Sequence, residues 1–119
     1  MYAAHAILFF RFKETRQNYF PVWENVYLIE VADGEDPETK ALQRARQDEG
    51  DSSGTLTYDG HPAELVFVGI RKIISVSHIS QDDSLTSGDE LTYSKFVVSD
   101  KTSLHRLARG EPTTVEYCE

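Results

Sequence analysis

The chain of 119 residues is poor in cysteine, in basic charge and in long apolar runs, and each shortage excludes something. Its one cysteine, Cys118, rules out an internal disulfide and any multi-cysteine metal knuckle, and it agrees with a reducing compartment. Lys and Arg number 12 against 20 Asp and Glu, a formal net charge of −8, and no basic face of the kind that grips nucleic-acid phosphates is evident. No apolar run reaches the roughly 18 residues of a membrane helix. The opening stretch, M-Y-A-A-H-A-I-L-F-F-R-F-K, places its charges after its apolar run and so lacks the positive start of a secretory leader. The expectation is a cytoplasmic protein with neither a membrane nor a nucleic-acid partner.

Signatures of chemistry are equally scarce. Metal sites need ligands that converge, yet none of His5, His61, His78 and His105 lies within helical reach of another. His61 follows the turn residues Asp59 and Gly60, and His105 falls on a helix surface. His78 has Ser75, Ser77 and Ser80 nearby, but there is no G-x-S-x-G elbow. The acidic stretch with Asp82, Asp83, Asp89 and Glu90 lacks the alternating ligands and central glycine of a calcium loop. No Gly-rich phosphate cradle is present. The expectation is therefore no catalytic residue, no metal and no cofactor.

What is present is material for one globular domain over residues 1–119: an apolar fraction of 39%, with six Phe, six Tyr and one Trp. The run from Pro62 to Val76, P-A-E-L-V-F-V-G-I-R-K-I-I-S-V, is almost continuously apolar and reads as a central strand buried on both faces. Gly69 interrupts it and marks a bulge, which would turn Arg71 to a different side from Leu65 and Phe67. Around it, Tyr2 to Lys13 and Val22 to Val31 read as strands. In the second, Trp23, Tyr27, Ile29 and Val31 share one face, and Val26 and Leu28 share the other.

Asp36, Pro37 and Glu38 make a helix start, followed by a narrow stripe of Ala41, Leu42 and Ala45 suited to lying flat on a sheet. Thr55 to Tyr58 is a short strand joined by Asp59-Gly60 to the long one. The polar stretch from Ser77 to Asp89 is a loop. Glu90 to Val98 is a strand. Ser99 or Asp100 caps a second helix carrying Leu104, Leu107 and Ala108, stopped by Gly110 and Pro112. Thr113 to Tyr117 closes the chain.

The order β-β-α-β-β-β-α-β contains strand, helix and strand twice. It predicts a ferredoxin-like α+β sandwich of split β-α-β units with an extra N-terminal strand, the sheet antiparallel-dominated and both helices on one face. Strands apolar on both faces then require cover for the second face, and a homodimer packing sheet on sheet would supply it.

The polar residues inside strands are the candidates for anything beyond structure. Glu24, Glu64, Arg71 and Lys72 interrupt apolar runs, and an unpaired buried charge costs several kcal/mol. Either they pair across neighbouring strands, or they emerge at strand ends and form a binding surface with Trp23.

Three segments together resemble a family of small bacterial proteins, domain of unknown function 4288. They are W-E-N-V-Y-L-I-E (Trp23 to Glu30), G-x-P-A-E-L-V-F-x-G-I-R-K (Gly60 to Lys72) and the closing strand-helix-strand ending in V-E-Y. The resemblance spans nearly the whole chain. It implies no activity or cofactor, and its motif residues here are Trp23, Glu24, Asn25, Glu64, Gly69, Arg71 and Lys72.

The functional expectation is a small binding or regulatory protein without catalysis, acting through protein contacts. The carboxylates Glu30, Asp33, Glu35, Asp36, Glu38, Asp48, Glu49 and Asp51 read as a solvated face. They also leave open an acidic immunity-type protein that neutralises a basic toxin. A third reading is an enzyme using Glu64 or Glu24 with Arg71.

Overall fold

Alternation in the first strand decides the architecture. In the computed structural model, which describes residues 1–51, 53–76 and 86–118, strand β1 (Tyr2–Phe12) is flanked by β2 (Phe20–Ile29) and β4 (His61–Ser75), both antiparallel to it. Its even residues Ala4, Ala6 and Leu8 pack with Tyr27, Ile29 and the flat stripe Ala41 and Ala45 of helix α1 (Pro37–Arg46). Its odd residue Ile7 packs with Val22, Phe96 and the stripe Leu104, Leu107 and Ala108 of helix α2 (Lys101–Ala108). Successive strand side chains point to opposite faces, so the two helices cover opposite sides of the sheet.

The fold is α+β, with the element order read from the sequence. One six-stranded antiparallel sheet runs β3-β4-β1-β2-β5-β6, where β3 is Thr57–Tyr58, β5 is Glu90–Val98 and β6 is Glu116–Tyr117. The segment β2-α1-β4 is a split unit with β1 between its strands. The expectation of both helices on one face is corrected, because α2 returns the chain to β6, directly antiparallel to β5, across the opposite face. That also removes the bare second face from which a homodimer was expected. The expected loop from Ser77 to Asp89, with His78, Asp82 and Asp83, lies for the most part outside the described residues.

Both helices start on a side-chain cap. Asp36 accepts from the Glu38 amide, with Pro37 following, and Asp100 accepts from the Ser103 amide at 2.7 Å. A third apolar cluster, Phe10, Phe12 and Ala63 with Tyr19, Trp23, Leu56 and Tyr58 around them, extends the α1 side of the sheet beyond the helix.

Two irregularities in β4 decide which way its side chains point. Ile7 faces Gly69 and Leu8 faces Phe67, so Val68 is an extra residue; His5 faces Lys72 and Ala6 faces Ile70, so Arg71 is another. Each is a β-bulge. The first keeps Val68 on the α2 side, where it packs on that core, while Phe67 and Ile70 stay on the α1 side. The same change of parity turns Arg71 to the α2 side, and the second bulge returns Ile73 to the α1 side. A Cβ at Gly69 would lie 3.1 Å from the Ala108 carbonyl oxygen, so the absent side chain is what lets the last turn of α2 settle on this strand.

Candidate functional site

Glu24 sits on the α2 side of β2, in line with Val22 and Val26, and is 8% exposed. A carboxylate buried so far needs partners, and three donors meet it. Arg71 donates from Nε to Oε1 at 2.6 Å and from Nη2 to Oε2 at 2.8 Å, and His5 Nδ1 lies 2.9 Å from Oε2. Burial pushes the Glu24 carboxyl up, but the hydrogen bonds and charges of Arg71 and His5 outweigh it and hold the group below the usual carboxylate range. The same carboxylate raises Arg71 above its already high value.

This pair forms the floor of a cavity of about 330 Å³. Phe96 of β5 and Leu107 of α2 supply apolar wall, and the segment from Gly110 to Val115 passes over the top before β6. Ser94, Thr113 and Tyr117 bring hydroxyl groups to the lining. The covering segment owes its position to Gly110, whose φ of +75° ends α2 in the left-handed region. A Cβ there would come 2.8 Å from the Arg71 carbonyl oxygen. The turn therefore rests directly on the bulged part of β4. At the rim, Glu111 accepts from Arg109 Nε at 2.7 Å.

The residues singled out from sequence are distributed unequally. Glu24 and Arg71 come together as a bidentate pair. Glu64 is elsewhere: it accepts from Arg11 Nε at 2.8 Å, in register across β1 and β4, with the arginine well exposed. Lys72 is exposed beside the second bulge. Trp23 lies on the α1 side, edge-on to Phe10 at 5.2 Å between centroids, with the Lys95 ammonium 5.3 Å from its ring centre. Glu24 and Trp23 are adjacent in sequence, so they point to opposite faces and share no surface.

His5 was missed. Its signal was available: a polar residue set between Ala3 and Ile7 at one parity of a largely apolar strand. A second polar network was missed as well. On the α1 side, Asn25, 3% exposed, donates from Nδ2 to the Tyr27 hydroxyl at 3.1 Å, and that hydroxyl donates to Asp48. Arg44 donates from Nη1 to Asp48 at 3.1 Å and lies over the Tyr27 ring, 4.3 Å from its centre. Burial and the Asp48 carboxylate both drive the Tyr27 phenol far above its usual range, so it acts as a fixed donor. Asn25 Oδ1 has no partner among the described residues.

No group of three or more His, Cys, Asp and Glu side chains among the described residues is arranged to hold a metal ion, and no described helix is long and apolar enough to cross a membrane. No family model matches the chain, and no curated protein or solved structure is similar enough to it to match.

Proposed function

We propose that this chain is a small binding protein, acting without a catalytic step, whose recognition site is the cavity beneath the segment from Gly110 to Val115. One observation carries the reading: the bidentate Glu24–Arg71 pair, tied in turn to His5, is buried at the floor of a space large enough for a small molecule. A buried ion pair is weak support for stability, since well-packed apolar residues of the same volume do as well or better. Its placement against an open cavity makes binding the better account of it. The Glu24 carboxylate accepts three hydrogen bonds and stays ionised at neutral pH, which suits an anchor rather than a proton shuttle.

The assignment to the domain-of-unknown-function family is proposed on the same residues. In this chain its motifs bring together the pair, through Glu24 and Arg71, and the glycine contact under Ala108 that positions α2.

The test is amide-resolved NMR of the wild type against a set of small polar fragments. Shifts should concentrate on residues 94–96 and 110–117 and disappear in Thr113→Trp, whose indole fills the space. Shifts scattered over the surface, or unaffected by Thr113→Trp, would rule the cavity out as the binding site.

A further inference from the structure

The geometry of Arg71 points to the chemical class of the ligand, and we infer that the cavity takes a small molecule bearing an oxyanion, a carboxylate or a phosphate. The inference rests on the reading of the cavity as a binding site and deepens it.

A guanidinium has two edges suited to bidentate recognition: a side edge of Nε and one Nη, and an end edge formed by both Nη groups. Glu24 occupies the side edge alone, through Nε at 2.6 Å and Nη2 at 2.8 Å. The end edge, Nη1 with the second proton of Nη2, meets no acceptor among the described residues, and Arg71 lines the cavity with its side chain 26% exposed. A side-chain fork held at one edge by a buried carboxylate, itself fixed by His5, is a pre-oriented donor pair, and such pre-orientation removes most of the ordering cost of binding. Two parallel N–H groups match the spacing of two oxygens on one carbon or phosphorus.

The surroundings agree with an anion of modest size. Tyr117, Thr113 and Ser94 line the same space and can donate further hydrogen bonds, while Phe96, Leu107 and Val115 suit an apolar body attached to the anionic group. Glu24 cancels the charge of Arg71 without taking its end edge. The other carboxylate of the lining, Glu111, is engaged by Arg109 at 2.7 Å, so it does not stand as an unpaired repelling charge.

The experiment titrates the full chain with sodium benzoate, phenyl phosphate and neutral benzamide, which share one ring body, at constant ionic strength. The readout is amide shifts at residues 94–96 and 110–117. Benzoate or phenyl phosphate should saturate these shifts with at least tenfold higher affinity than benzamide, and the tighter of the two identifies the oxyanion. Arg71→Lys, which keeps the charge and loses the planar fork, should weaken the anion by about tenfold, the loss of one charge-assisted hydrogen bond. Glu64→Gln, remote from the cavity, should leave the affinity unchanged. If Arg71→Lys does not fold, the ratio of benzoate to benzamide on the wild type still decides. Equal affinity for all three probes overturns the oxyanion assignment and leaves the cavity as a binding site. No shift at these amides with any probe overturns both.

Discussion

Removing one member of the Glu24–Arg71 pair should cost far more than removing both. Glu24→Leu deletes three hydrogen bonds and leaves a guanidinium and a histidine facing an apolar side chain. Breaking a fully buried pair from one side costs about 3–5 kcal/mol, because the surviving charge is stranded. Here 26% of the Arg71 side-chain surface is open to solvent, so water recovers part of that loss, and about 2–3 kcal/mol is expected. Arg71→Met strands Glu24, which is more deeply buried at 8% exposure, and should cost about 3–4 kcal/mol. The double variant leaves only His5 without its partner and should fall within about 2 kcal/mol of the wild type. Urea unfolding followed by the fluorescence of Trp23, which lies on the opposite face and is untouched by these changes, gives all four free energies. The coupling should reach about 3 kcal/mol, at the upper end for contacting residues. Simple addition of the two single losses would show that the pair does not act as a unit and would refute the reasoning on which the site rests.

The same contacts set three other outcomes. Because the folded Glu24 carboxyl titrates below its ordinary value of 4.5, its contribution is fully present above that pH and is lost as the pH falls through the folded value; the stability gap between wild type and Glu24→Gln should therefore narrow between pH 5 and pH 3, and a gap constant over that range contradicts the assignment. Gly110→Ala adds a Cβ 2.8 Å from the Arg71 carbonyl oxygen at a φ of +75° and should cost about 2 kcal/mol in urea unfolding, with ligand shifts at residues 110–117 altered as the covering segment moves. Leu104→Ala empties a 1%-exposed position between α2 and the sheet and should cost about 2–4 kcal/mol; a loss under 1 kcal/mol would mean that α2 is not packed there.

Most of the fold was legible because strand alternation and helix caps are local signals. Asp36-Pro37-Glu38 and Asp100 started helices where expected, and Asp59-Gly60 joined two strands. The face taken by each helix was not local. In β1 both parities are apolar, Ala4, Ala6 and Leu8 against Ile7 and Phe9, which demands two covers; α1 and α2 supply one for each face. Two helices on one side, as the repeated strand-helix-strand order suggests, would leave a face uncovered, and that uncovered face is the ground for expecting a dimer. The pairing of Glu24 was open for a similar reason. Its two partners come from positions 5 and 71, and only the register of β1 against β2 and β4 brings those positions to one spot.

The two bulges of β4 together account for where the charge ends up. In an unbulged strand, residues of one parity share a face, so Arg71 would side with Leu65, Phe67, Gly69 and Ile73. Leu65, Phe67 and Ile73 all pack on the α1 side, which would set the guanidinium against Ala41 and Ala45 and away from Glu24 on the opposite face. The extra residue at Val68 exchanges parity once, so that Gly69 falls under Ala108 and Ile70 joins the α1 core. Arg71 then points to the α2 side, and the second extra residue restores Ile73 to the α1 side. One bulge without the other would put either Arg71 or Ile73 on the wrong face. The pair of irregularities thus places one charged side chain beside Glu24 while keeping the apolar residues before and after it in the core. Gly69 lies under α2 for the same reason that Arg71 lines the cavity on that side.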